Sequence, residues 1–106
     1  MKLPQPLHET LHAIGFIGAL IGVMADGTVV APWICLATHG LGLASHRWRS
    51  LGEADFGGIV RTSLAIVAVL VSAGQHWVVQ ASGLEFVILA IASLALEALR
   101  PLPTQP

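Results

Sequence analysis

From Thr10 to His46 the chain carries one charged side chain, Asp26, and between Arg61 and Glu85 it carries none. A helix needs about 20 mostly apolar residues to cross roughly 30 Å of hydrocarbon at about 1.5 Å per residue, so the pattern is that of membrane spans. Asp26-Gly27 is a turn pair, and Thr28 after it can cap a helix, which divides the first apolar stretch into spans over residues 8–25 and 28–47. The charged, glycine-bearing segment from Arg47 to Gly58 reads as the main polar loop, with Asp55 placed to begin a third span over 56–78. Gln80-Ala81-Ser82-Gly83 then turns the chain into a fourth span over 83–100, which Pro101 and Pro103 stop. The pattern predicts an all-α fold: one transmembrane domain over residues 1–106, an integral membrane up-down-up-down four-helix bundle. Three spans plus an interfacial helix is the alternative, because Glu85 and Glu97 bracket a short uncharged middle in the last segment.

Small and polar residues recur along each span in steps of three and four, which places them on one face. In the first span they are His8, His12, Gly15, Gly18, Gly22 and Asp26. In the second they are Thr28, Pro32, Cys35, His39, Gly42, His46 and Arg49, and in the third Arg61, Ala65, Ala68, Ser72 and His76. In lipid, helices associate through close backbone approach at small residues and through polar contacts, so these faces should point inward and Leu, Ile and Val outward. Bundle packing is the plainest use of such stripes.

Composition fits this environment: 55% of residues are hydrophobic and 10% charged, far from the roughly one quarter charged of soluble domains. A net charge of -1 without a basic run leaves no electrostatic footprint for nucleic acid. The single cysteine, Cys35, excludes an internal disulfide and a cysteine-pair metal motif. Lys2, the apolar run over 13–24 and Val23-Met24-Ala25 loosely imitate a secretory leader, but Pro4, Pro6, His8 and Glu9 make a poor one, and a permanent first span is expected. Lys2, Arg47, Arg49, Arg61 and Arg100 fall on one side of the four-span arrangement, which predicts cytoplasmic N- and C-termini in an inner, plasma or photosynthetic membrane.

Folding the first two spans about Gly27 brings together positions whose numbers sum to about 54. His8 then faces His46, His12 faces Gly42 and His39 faces Gly15. Imidazoles beside glycines imply open volume and hence a cofactor slot: a haem b or chlorophyll-type pigment held through His39 with His12 or His46, His8 adding a ligand near the surface. His39 and His46 are the candidate metal ligands, and Gly15 and Gly42 the slot walls. A bundle with no cofactor, its histidines hydrogen-bonded or solvated, is the competing expectation. There is no HExxH, no repeated HxxHH box and no Cys-His cluster. Arg61 and Glu97 are expected to form an ion pair near the cytoplasmic end. Ser72, Ser93 and Cys35 have no sequence-defined base, so enzymatic activity is not expected.

With almost no extramembrane part, the expected role is an accessory or anchoring subunit of a membrane redox or photosynthetic complex, contacting lipid and other membrane subunits or copies of itself. A small homodimeric transporter or channel is the second expectation, its path using Ser72, His39 and Glu97. A purely structural membrane subunit is the third.

Overall fold

The computed structural model describes residues 1–80 and 83–101, and among these all regular structure is helical. Helix α1 spans Gln5–Ala25, α2 Val30–Ala44, α3 Arg49–Gly52, α4 Phe56–Ala73 and α5 Leu84–Ala98. Beyond α4 the helix widens into one π-helical turn, Gly74–Val78, in which the Val79 amide donates to the Gly74 carbonyl at 3.0 Å. The short α3 lies inside the segment expected to be the main polar loop.

The boundaries follow local chemistry. Pro6 sits in the first turn of α1, where a missing amide proton costs nothing. Asp26 closes an Asx turn instead of letting Thr28 cap the next helix: its Oδ1 accepts from the Thr28 amide at 3.1 Å and hydroxyl at 2.5 Å. The start of α2 is served from another helix, because Gln75 Oε1 in the π turn accepts from the Ala31 amide at 3.0 Å. Asp55 precedes α4 but makes no side-chain capping bond. Gly83 precedes α5 at φ 127°, a left-handed conformation that needs glycine. Of the expected turn at residues 80–83, Ala81 and Ser82 lie outside the described residues, as does Pro103.

Helix α1 packs along α2, and α4 along α5, while α2 also touches α4 and α5; the contact of α1 with α5 is lighter. Chain direction alternates. The Leu3 amide donates to the Leu99 carbonyl at 2.9 Å, and Arg100 Nη1 donates to Ser45 Oγ at 2.8 Å. The N-terminus, the end of α2, the start of α4 and the end of α5 therefore share one end. All five basic residues, Lys2, Arg47, Arg49, Arg61 and Arg100, belong to segments at that end.

Burial is inverted relative to a water-soluble bundle. The buried set includes His8, His12, Thr38, His39, Ser45, Arg61, Ser72 and Ser93, and the buried apolar cluster is mostly small: Ala19, Ala31, Cys35, Ala68, Ala90 and Phe86. Ile14, Ile17, Ile21, Ile59, Leu70, Ile88 and Ile91 are exposed. Two helices are long and apolar enough to cross a membrane, α1 and α4 continued through Val78, and only 22% and 28% of their apolar windows are buried in the protein. Most of the apolar surface of these two helices is therefore not covered by the rest of the chain.

Candidate functional site

From the shared end toward the middle of the bundle run four imidazoles, two on α1 and two on α2 and the residues just past it, arranged as a ladder. His8 and His12 lie one turn apart on α1, and both are fully buried. On α2, His39 is buried and His46, just past the helix end, is partly exposed. His8 Nδ1 lies 2.8 Å from His46 Nε2, and His12 Nδ1 lies 3.0 Å from His39 Nδ1. Each pair ends on a backbone carbonyl of α5: His8 Nε2 is 2.9 Å from Leu96 O, and His39 Nε2 is 2.9 Å from Leu89 O. The rings of His8 and His12 meet edge to face at a centroid distance of 4.8 Å, without a hydrogen bond.

These partners determine where the protons sit on neutral rings. A carbonyl can only accept, so His8 donates through Nε2–H and its bare Nδ1 accepts from His46 Nε2–H. By the same rule His39 donates through Nε2–H, and its bare Nδ1 accepts from His12 Nδ1–H. That leaves His12 Nε2 as a bare lone pair, and this buried atom has no hydrogen-bond partner. Both pairs thus run in one sense, from the first ring to an α5 carbonyl, and only His12 Nε2 and the outward Nδ1 of His46 are left open.

The structure brings His8 to His46, His12 to Gly42 and His39 to Gly15. The volume expected beside the glycines is filled by the imidazoles themselves: a Cβ built on Gly15 would lie 2.5 Å from the His39 ring, and one on Gly42 would strike the His12 ring. The glycines admit the rings. His39 and His46, the candidate metal ligands, belong to different pairs, and among the described residues no group of three or more His, Cys, Asp and Glu is arranged to hold a metal ion. An apolar cavity of about 380 Å³ lies alongside, lined by Leu11, Ile14, Gly15, His39, Leu89 and Leu96 among others. His39, however, has both ring nitrogens engaged.

Polar groups continue past His39 along the bundle. The Thr38 hydroxyl donates to Cys35 O at 3.0 Å, the Cys35 thiol to Phe86 O at 3.3 Å, and Ser72 Oγ lies 3.8 Å from Cys35 Sγ. Gln75 follows one turn beyond Ser72, and His76 in the same π turn has a buried Nδ1 with no partner. The buried ion pair stands at the basic end: Arg61 Nε donates to Glu97 Oε1 and Oε2 at 3.1 and 3.0 Å, while Nη1 donates to the carbonyls of Leu51 and, at 3.2 Å, Glu53. With side chains 4% and 11% exposed, the two charges neutralise each other out of water.

Sequence reasoning did not find the Leu89 and Leu96 carbonyls, Gln75 or the Arg100–Ser45 bond. Backbone acceptors carry no residue signature, and Gln75 is one polar residue beside a histidine that drew more notice. No family model, curated protein or solved structure matches this chain.

Proposed function

We propose that this chain is a four-span integral membrane protein whose polar axis carries protons, a small channel or transporter with its basic end in the cytoplasm. The observation that carries this reading is the histidine ladder: two hydrogen-bonded pairs of titratable rings, His46–His8 and His12–His39, whose adjoining rings His8 and His12 meet edge to face inside a bundle with an apolar outer surface. Imidazole takes a proton on one nitrogen and releases one from the other, and ionisable groups held within membrane helices are characteristic of proton pathways. The ladder starts at partly exposed His46 and leads through His8, His12 and His39, beyond which Thr38, Cys35, Ser72, Gln75 and His76 extend the polar file toward the other end. Helices α2 and α5, at 15 residues each, reach about 22 Å at 1.5 Å per residue. Tilt is not needed for them; local thinning of the bilayer and their polar flanks accommodate short spans.

Reconstitution tests it. Purified protein in liposomes with an internal pH dye and an imposed membrane potential should pass protons, and His12→Gln should return the flux to that of protein-free vesicles. Flux no faster than in empty vesicles removes the proposal.

The accessory-subunit reading, with a haem or chlorophyll-type pigment, keeps one supporting observation: His12 Nε2 has the free lone pair that an axial ligand requires. Against it, the spaces opened by Gly15 and Gly42 are taken by imidazole rings. A Soret or pigment band in the purified protein, lost in His12→Gln, would favour it over proton conduction.

A further inference from the structure

We infer that His12 Nε2 is the proton-loading atom of the bundle interior, and that the break between the two imidazole pairs is the gate controlling access to it. The inference deepens the proton-pathway reading by naming the atom and the step. The geometry is specific: three of the four rings use Nε2–H as a donor, to His8 Nδ1, Leu96 O and Leu89 O, and His12 alone has Nε2 bare, buried and unpartnered.

Each transfer balances. A hydronium ion at the aqueous face gives its proton to His46 Nδ1 and is left as water, the His46 Nε2–H bond breaks, and an N–H bond forms at His8 Nδ1. His8 is then an imidazolium with its Nε2–H still held by Leu96 O. No hydrogen bond joins His8 to His12, although their centroids are 4.8 Å apart, so the charge waits there. Release of His8 Nε2–H from Leu96 O, by ring rotation or through an intervening water, breaks that bond and makes one at His12 Nε2. His12 Nδ1–H then breaks as His39 Nδ1–H forms, and the positive charge has moved to His39. Each of the first three rings is left in the opposite tautomer, so the ladder passes one proton and must reorient before the next.

The charged and titratable groups near His12 are His8 on its own helix, His39 on α2, His46 just past the end of α2, and Arg100 after α5. Glu97 and Arg61, near His8, form a neutral pair.

Nitrogen-15 magic-angle-spinning NMR of the full chain in lipid bilayers, histidine-labelled and assigned with His12→Gln and His46→Gln variants, tests the inference on the unmodified protein. At neutral pH His12 should show a protonated Nδ1 and a bare, non-hydrogen-bonded Nε2, and acidification should add the interior proton at that Nε2. A His12 protonated at Nε2 and bare at Nδ1 would overturn it, whatever the liposome flux. The expected spectrum with no flux would sink the conduction proposal while leaving the loading atom in place. In liposomes that do conduct, His46→Gln should slow flux several-fold and His12→Gln abolish it; equal slowing by both would remove the gate.

Discussion

At the scale of single residues, the glycines of α1 separate into those that admit a ring and those that do not. Gly15 faces an imidazole held at both nitrogens, so its replacement by Ala forces a ring that cannot yield without losing hydrogen bonds; we expect a loss of about 1–3 kcal/mol. At Gly18 an added Cβ would meet Leu89 Cδ1 at 3.6 Å, an ordinary contact. Gly18→Ala should therefore be neutral, or stabilise α1 by up to about 1 kcal/mol through helix propensity. Unfolding of the two variants in detergent micelles checks the opposite signs. Asp26 offers a second residue-scale test. The hydroxyl and then the amide of Thr28 hold its carboxyl below the ordinary value. A depressed pKa means that the turn is favoured above the ordinary carboxylate range and loses that contribution as pH falls through the depressed value. Thr28→Val removes the larger cause, and carboxyl-carbon NMR should find Asp26 titrating at higher pH; an unchanged titration would contradict the Asx-turn assignment.

At the scale of elements, the four long helices are held by a few polar links over a field of small side chains. Arg61 on α4 ties α5 through Glu97 and the segment before α4 through the carbonyls of Leu51 and Glu53. Arg61→Met would leave the Glu97 carboxylate buried and unpaired, a cost of about 3–5 kcal/mol, whereas Arg61→Met with Glu97→Leu should recover much of the loss. Thermal unfolding of the single and double variants in the same detergent measures this, and equal losses would show that the carbonyl bonds dominate. The inward faces of α2 and α4 were legible in the sequence because burial recurs with the helical period: Pro32, Cys35, His39 and Gly42 on one, Arg61, Ala65, Ala68 and Ser72 on the other. On α1 the period drifts: Ala19 is buried where Gly18 and Gly22 were expected, and these are only partly covered. The one-turn α3 and the π turn were not legible, since both are short departures that tertiary contacts stabilise and neither interrupts the hydropathy pattern.

At the scale of the whole molecule, the proposed membrane setting rests on the outward Ile, Leu and Val surface and on two helices long and apolar enough to span a bilayer. Membrane fractionation should place the protein in the bilayer fraction, with release by detergent and not by salt or alkali; monodisperse protein in plain buffer would refute the four-span reading. Single-cysteine variants at Gln5 and Glu53 should react with an impermeant maleimide from one side of the membrane, and a variant at Thr28 from the other. The apolar runs, the turn at Asp26-Gly27 and the facing of His8 with His46 could all be derived from the chain alone, because hydropathy and helical period are local and a hairpin between consecutive helices has a simple register. The hydrogen-bond sense of the ladder could not. It depends on two α5 carbonyls, Leu96 and Leu89, lying 88 and 50 residues along the chain from the rings they bind, and so on the rotation and depth of a third helix against the first two. Only the packed bundle decided that His39 is fully engaged, that the glycine spaces are filled by imidazoles, and that the free lone pair belongs to His12, since a histidine's sequence position says nothing about which of its nitrogens meets an acceptor.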